Sequence, residues 1–119
     1  MLLKLLRAKI HHATITQAQV EYVGSITIDQ EILDASGILP GECVLVADLT
    51  DGQRFETYVM AGHRGSGVIC VNGAAARLVT VGDKIIIMAF GYVEHEQAVG
   101  VKPSIVLVDD ETNKVFRRI

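Results

Sequence analysis

The chain of 119 residues has the length of one domain, and half of its residues are hydrophobic, so it can bury a core without disulfides or metal ions. Its formal charge of −3 and the lack of any basic stripe argue against a nucleic-acid partner. No apolar run reaches the roughly 18 residues of a membrane span, and Lys4, Arg7 and Lys9 interrupt the apolar start where a signal peptide would be uncharged. We therefore expect a cytoplasmic protein without a membrane partner.

The first part of the chain predicts a strand, a short connection and a capped helix. The leucine spacing at the start of residues 2–16 could suit a helix, but β-branched residues accumulate from Lys9, so we predict mostly strand. TQAQVEY (16–22) is predicted to be a short helical or turn segment, and SITID (25–29) a compact strand. Asp29 is a plausible N-cap for a helix over QEILDAS (30–36), which Gly37 would end.

The middle of the chain predicts a hairpin. Strands CVLVADL (43–49) and RFETYVMA (54–61) flank Thr50-Asp51-Gly52, and an Asp-Gly pair is a common hairpin signal. A Thr-Asp-Gly loop also occurs in aspartic proteases, but the surrounding order differs and no second copy exists, so the hairpin is favoured. HRGSG (63–67) lacks the Lys-Ser/Thr ending of a phosphate-binding loop and is predicted to be a tight turn.

The rest of the chain predicts more strands. We expect a buried strand over 67–72, the first turn of a helix over 72–78, a long strand within 81–93, a last strand over 103–110 and a polar tail over 111–119. Six or so short strands separated by glycine turns, with an aliphatic core, predict a closed β barrel. The lack of a G-x-G-x-x-G unit or βαβ alternation makes a nucleotide-dependent enzyme unexpected.

The two cysteines do not form a recognisable motif. Cys43 and Cys70 each lie in an apolar, strand-like run, so we expect buried small side chains in a reducing compartment and no disulfide. Neither C-x-x-C nor C-x-x-H spacing is present, and His12, His63 and His95 do not cluster in the sequence, so no metal site is expected.

The Gly24–Ser25 pair has an ordinary and a chemical interpretation. On its own it indicates only a flexible start to a strand. Chemically, glycine lets a peptide be held in a strained conformation, and a serine hydroxyl that follows can attack the preceding carbonyl carbon. The amide then becomes an ester, provided that donors stabilise the oxyanion.

Five collinear segments favour the chemical interpretation, because together they resemble the aspartate 1-decarboxylase family. They cover most of the chain up to about residue 90, in the family's order: KIHHATITQAQVEYVGSITID (9–29), DASGILPGE (34–42), TDGQRFETYV (50–59), RGSGVICVNGAAA (64–76) and VGDKIII (81–87). The resemblance does not extend to the residues that follow, so it implies no role for them.

The resemblance implies a mainly β fold, a double-psi β barrel with short helices, that forms one domain over residues 1–119 and assembles as a homotetramer. It implies an inactive proenzyme that cleaves itself into a β chain, 1–24, and an α chain, 25–119, with Ser25 becoming a covalent pyruvoyl cofactor. The activity implied is decarboxylation of L-aspartate at C1 to β-alanine and CO2 through a Schiff base on that group, as a supply for pantothenate biosynthesis. Some relatives use an accessory protein for maturation, so such a partner is left open.

The resemblance also implies roles for individual residues. Arg54 matches the clamp for a substrate carboxylate, Lys9 a carboxylate contact, and Tyr58 the proton donor. Thr57 matches a residue used in cleavage and substrate contact. A substrate-binding loop matches Asn72, Gly73, Ala74 and Ala75.

Arg54, Lys9, Tyr58 and the loop over 72–75 also have a plain structural interpretation. In this interpretation the arginine lies on the surface, the lysine is solvated, the tyrosine is half-buried and the loop is simply a strand-to-helix turn. Tyr22 and His11 are expected to support the scission segment, with His11 either a general base or a structural histidine. Because Thr57 and Tyr58 are adjacent on a strand, their side chains should point to opposite faces.

Three functions are compatible with these residues. A pyruvoyl-dependent aspartate decarboxylase is the leading hypothesis. A non-catalytic barrel serving as a binding module and a decarboxylase for another acidic amino acid, such as glutamate, are the alternatives.

Overall fold

The structure, a computed structural model, describes residues 1–119 and consists mainly of strands. The nine strands are β1 (Leu2–Thr14), β2 (Gln17–Gln19), β3 (Ser25–Asp29), β4 (Cys43–Asp48), β5 (Arg54–Gly62), β6 (Ile69–Asn72), β7 (Lys84–Glu94), β8 (Ser104–Val108) and β9 (Val115–Arg118). The helices are α1 (Gln30–Ser36), a 3₁₀ helix over Gly73–Leu78, and α2 (His95–Ala98). None of the helices has the length and apolar composition needed to cross a membrane.

Six strand positions close into a barrel, as the sequence predicted. The pairing order runs β2-β6-β3-β5-β4-β7-β1, and β1 continues into β2 through only Ile15 and Thr16. The Ile15 N–H donates to the Asp83 carbonyl at 3.0 Å, and the Thr16 N–H donates to the Ile69 carbonyl at 2.8 Å. One continuous ribbon therefore pairs with β7 along its first half and with β6 along its second, which joins the two ends of the sheet.

The core of the barrel is aliphatic. Twenty-one buried residues form one cluster, in which Phe55 is the only aromatic side chain. Alternation along each strand supplies this core, because Ile26 and Ile28 of β3, and Val44 and Val46 of β4, all point inward. The same alternation turns Cys43 outward, so the prediction that Cys43 is buried was wrong; Cys70 is buried as expected, and both thiols are free.

The locally determined elements match their predictions. Helix α1 begins at Asp29, whose carboxylate accepts from the Glu31 N–H at 2.9 Å, and it ends at Gly37 with a φ of 79°. Strands β4 and β5 form the predicted antiparallel hairpin. In the TQAQVEY segment, however, Gln17–Gln19 forms strand β2 where a helix or turn was predicted, because its backbone pairs with β6 across the barrel closure.

The end of the chain is more ordered than the sequence indicated. Strand β8 is not the last strand, since β9 pairs with it in the segment predicted to be a polar tail. The buried Asn113 fixes this segment to the barrel. Its side-chain amide donates to the carbonyls of Thr14 at 2.9 Å and Gly67 at 2.8 Å, and its Oδ1 accepts from the Thr14 N–H at 2.8 Å.

Candidate active site

Ser25 is the first residue of β3 and has two unusual properties. Its side chain is completely buried, and its φ is 140°, a region that residues with a side chain rarely adopt. Such a conformation costs roughly 1–3 kcal/mol and persists only where the surrounding structure enforces it. The strained residue directly follows the predicted scissile bond.

Gly73 packs against the residue on the other side of that bond. Its φ is 75°, and a Cβ at this position would lie 2.8 Å from the Gly24 Cα and 3.1 Å from the Gly24 nitrogen. Only glycine fits such a close approach of two backbones. A Cβ at Gly24 itself would meet no atom within 4 Å, so the contact restricts position 73 and not position 24.

The hydroxyl of Ser25 is held by a buried amide. Asn72 lies opposite Ser25 in the antiparallel β3–β6 ladder, and its Nδ2 donates to the Ser25 Oγ at 3.0 Å and to the Thr27 Oγ1 at 3.2 Å. Although Asn72 directly precedes the 3₁₀ helix, it makes no capping hydrogen bond there. Its side chain is committed to β3 instead.

Two further residues of this network were not identified from the sequence. Thr27 accepts the second hydrogen bond of the amide, and the Cys70 Sγ donates to the Asn72 Oδ1 at 3.2 Å. Both lie two residues from a predicted site residue on a strand, so they share its face. This spacing, applied to Ser25 and Asn72, is the signal that could have found them.

Tyr58 lies on the other side of Ser25. Strands β3 and β5 are parallel with Ile26 opposite Val59, so Tyr58 is level with Ser25, one step before that pair. Tyr58 and Tyr22 both line an apolar groove of about 510 Å³, together with Val23, Pro40, Gly41, Val59, Met60 and Ala61. The structure thus brings Gly24, Ser25, Asn72, Gly73, Tyr22 and Tyr58 into one region.

The other site residues on β5 are arranged by the strand's alternation. Tyr58 and Arg54 are exposed on the outer face, whereas Thr57 is half-buried on the opposite face, between Phe55 and Val59. The prediction that Thr57 and Tyr58 point to opposite faces is therefore confirmed. Arg54 is four residues from Tyr58, about 13 Å along the strand.

Lys9 and His11 belong to a different wall of the barrel. Both lie on β1, which runs between β7 and β8, and neither strand adjoins β3. His11 stacks on His12, and its Nδ1 is buried without a hydrogen-bond partner. Burial, followed by the positive charge of Lys9, lowers the pKa of His11, so its imidazole is neutral at neutral pH.

The remaining loop residues follow Gly73. Ala74 is exposed and Ala75 is half-buried in the 3₁₀ helix. None of Lys9, Arg54 and Tyr58 makes a side-chain hydrogen bond or ion pair within the chain. By contrast, Arg7 and Arg64 are each paired with a carboxylate. The two cations and the phenol that the resemblance predicts to be substrate contacts therefore have no side-chain partner within the chain.

The chain is similar to known proteins along almost its whole length. The profile of the family described as Aspartate decarboxylase matches residues 1–115. An aspartate 1-decarboxylase of Lactiplantibacillus plantarum is 58% identical over 119 residues, which are 100% of this chain and 91% of that protein. One from Caldicellulosiruptor bescii is 56% identical over 98% of this chain and 91% of that protein.

A third relative and a solved structure complete the comparison. The aspartate 1-decarboxylase of Porphyromonas gingivalis is 52% identical over 98% of each chain. The crystal structure of a rationally designed double-psi β-barrel protein is similar with a TM-score of 0.50 at 19% identity, and covers 66% of this chain and 92% of that one. This likeness concerns the fold alone, and it identifies the barrel as the double-psi type.

Proposed function

Because the chain belongs to the aspartate decarboxylase family, it decarboxylates L-aspartate at C1 to β-alanine and CO2, and we propose that it does so with a pyruvoyl group made from its own Ser25. The observation that carries this proposal is the state of Ser25. A buried serine with a positive φ, whose hydroxyl is held by Asn72, follows a glycine that packs against Gly73. These residues fit a site where a peptide bond is converted into a cofactor.

The proposed maturation uses only Gly24, Ser25 and water. The Ser25 Oγ attacks the Gly24 carbonyl carbon, the C–N bond breaks, and the hydroxyl proton ends on the freed amine, which leaves an ester. Removal of the Ser25 α-proton then expels the Gly24 carboxylate from Cβ, so that position 25 becomes dehydroalanine. Hydrolysis releases ammonia and leaves a pyruvoyl group at the start of chain 25–119, which stays associated with chain 1–24.

The pyruvoyl group would supply a ketone that condenses with the substrate amine and so provides a sink for the electron pair left when CO2 departs, which no ordinary side chain can do. Position 25 lies in the wall of the barrel, between Asn72 of β6 and Tyr58 of β5. The Asn72 amide holds that position from one side, and the Ser25 side chain is fully buried.

We assign the substrate contacts as follows. Arg54 binds a substrate carboxylate through its guanidinium fork, and Lys9 adds a second positive charge. Tyr58 returns a proton to the α-carbon, since a positioned phenol hydroxyl can act as a general acid. The Asn72–Ala75 loop contacts the substrate through its backbone, Thr57 assists cleavage and contact, and Tyr22 and His11 support the scission segment.

We also propose that the working enzyme is a homotetramer of processed chains in the cytoplasm. Lys9, His11 and Thr57 do not face Ser25 within one chain, so a second copy must supply them if they act there. Exposed apolar residues beside Ser25, among them Tyr22, Val23 and Met60, offer a surface that a second copy could cover.

Comparing wild type with Ser25→Ala tests the proposed function. We expect wild type to form β-alanine from aspartate, and Ser25→Ala to remain one chain and form none, because no hydroxyl can attack Gly24. Ser104→Ala is the matched control, since Ser104 also begins a strand and its side chain makes no hydrogen bond. Cleavage or turnover by Ser25→Ala would exclude Ser25 as the source of the catalytic group.

The choice between aspartate and glutamate is a separate question. Glutamate is one methylene longer, and a pocket discriminates one methylene by about 1–3 kcal/mol, or about 10- to 200-fold. We expect kcat/KM to favour aspartate within this range. A ratio that favours glutamate would identify a related decarboxylase, and no CO2 release by a processed sample would favour a non-catalytic binding module.

A further inference from the structure

Cys70 is buried in β6 and belongs to a polar group on one face of two strands. In the β3–β6 ladder, Cys70 lies opposite Thr27, and Asn72 lies opposite Ser25. Residues Ile26, Ile28, Ile69 and Val71 alternate with them and point into the core. The four polar side chains therefore form one cluster, away from the aliphatic interior.

The amide of Asn72 is fully hydrogen-bonded within this cluster. Its two N–H groups serve Ser25 and Thr27, which leaves Oδ1 as the acceptor for the Cys70 thiol. An amide rotated by half a turn would present Oδ1 to the two hydroxyls and its NH2 to sulfur. The thiol favours the observed orientation, because it supplies the donor that Oδ1 needs in a buried site.

The thiol can keep this role at neutral pH. Burial raises the pKa of Cys70, so the S–H proton is retained. The orientation of the amide matters for Ser25, because a donating Nδ2 occupies an Oγ lone pair and fixes the side-chain rotation. With the amide reversed, Oδ1 would accept a hydrogen bond from the Ser25 hydroxyl, and the O–H bond would then point towards Asn72.

We propose that Cys70 is a positioning residue for self-cleavage, which orients the Asn72 amide so that its N–H group holds the Ser25 hydroxyl against the Gly24 carbonyl. This inference rests on the proposed conversion of Ser25. Cys70 itself undergoes no reaction and touches neither of the two residues at the scissile bond through a hydrogen bond.

The test compares three substitutions that separate hydrogen bonding from packing. Cys70→Ser keeps a donor, Cys70→Ala removes both donor and volume, and Cys70→Val removes the donor while filling the space. Cys43→Ala is the matched control, because Cys43 is the other free cysteine and its exposed thiol donates to Glu56 instead. Precursors made by cell-free translation are followed over time by intact mass, and thermal unfolding is recorded for each variant.

We expect Cys70→Ser and Cys43→Ala to cleave within about threefold of wild type. Cys70→Ala and Cys70→Val should both cleave about five- to tenfold more slowly, the effect of one lost hydrogen bond. Wild-type rates in both Ala and Val variants would overturn the inference, as would a Ser variant as slow as they are, since packing alone would then explain Cys70. A wild-type precursor that never cleaves would overturn the proposed function itself.

Discussion

The backbone of Ser25 is held in an unfavourable conformation by its neighbours on both sides. Strand β3 pairs with β6 from Ser25 onward and with β5 from Ile26 onward, so the ladders fix the residue despite its φ of 140°. Strain of roughly 1–3 kcal/mol at this residue would be released when the preceding peptide bond breaks. Local strain and a held nucleophile thus coincide at one bond.

Arg54 provides a prediction about substrate binding. Arg54→Ala should lower kcat/KM for aspartate by about 100-fold, the range expected for the loss of a charge-assisted contact, and leave self-cleavage unchanged. Arg64→Ala is the control, since Arg64 is an exposed arginine paired with Asp34. Equal loss of cleavage and turnover in Arg54→Ala would assign Arg54 to maturation or folding.

Asp48 provides a prediction about pH. Its Oδ1 accepts from the Thr50 N–H at 2.8 Å, whereas its buried Oδ2 has no donor. Burial raises the pKa of Asp48, as does the hydrogen bond that its protonated carboxyl donates to the Asp83 carboxylate, and the resulting pKa is about 6. The folded chain therefore binds this proton more tightly than the unfolded chain, so the stability it contributes is present below about pH 4 and is lost as the pH rises through about 6.

Asp48→Asn should remove this dependence of folding stability on pH, because an amide can donate a hydrogen bond to Asp83 at any pH. We expect the variant to be more stable than wild type by about 1–2 kcal/mol at pH 7.5, with little difference at pH 4. Thermal unfolding midpoints of the variant and wild type at the two pH values measure this difference in stability. Asp51→Asn, in the exposed loop, is the control. A difference that is the same at both pH values would exclude a shared proton.

At the scale of elements, the turn between β6 and the 3₁₀ helix sets the position of the scissile bond. Gly73→Ala should slow self-cleavage at least about tenfold, because its Cβ would displace Gly24, and should cost about 1 kcal/mol or more in backbone strain. Gly82→Ala is the control that separates displacement of Gly24 from backbone strain. Gly82 also has a positive φ, of 98°, but its Cβ would meet no atom within 4 Å. Similar cleavage rates in both variants would contradict a role for the Gly73–Gly24 contact.

The same scale shows what the sequence could and could not predict. Helix α1 was predictable because its two ends are set by local capping residues, Asp29 and Gly37. Strand β2 was not, because its partner β6 lies about 50 residues further along the chain. The spacing along each strand indicates that Thr27 shares a face with Ser25, and Cys70 with Asn72, but only the pairing of β3 with β6 shows that the two pairs lie opposite each other. Ser25 and Asn72 themselves came from the family resemblance.

At the scale of the whole molecule, the end of the chain secures the barrel. Asn113 links the last segment to β1 and to the loop before β6 through three hydrogen bonds. Asn113→Ala should lower the free energy of unfolding by about 2–3 kcal/mol, because it leaves buried backbone groups unpaired. Chemical unfolding measures this, and Glu111→Ala, an exposed neighbour, is the control. Equal stabilities would show that water replaces the amide.

The separation of the candidate site residues is also a property of the whole molecule. Tyr58, Asn72 and Gly73 adjoin Ser25 within one chain, whereas Lys9 is carried by a strand that does not adjoin β3. Sequence motifs cannot express this difference, because they give order along the chain and not the position of each strand around a barrel. A site shared between copies is the proposal that reconciles the two groups.

The proposed activity depends on conversion of the peptide bond between Gly24 and Ser25 into the source of the catalytic group. Intact mass spectrometry of the purified wild-type protein tests it most directly. We expect two fragments, 1–24 and 25–119, with the larger one carrying a ketone that reacts with a hydrazide and no free α-amine. A single uncleaved chain of 12.9 kDa after prolonged incubation, or a larger fragment that begins with an unmodified Ser25, would contradict it.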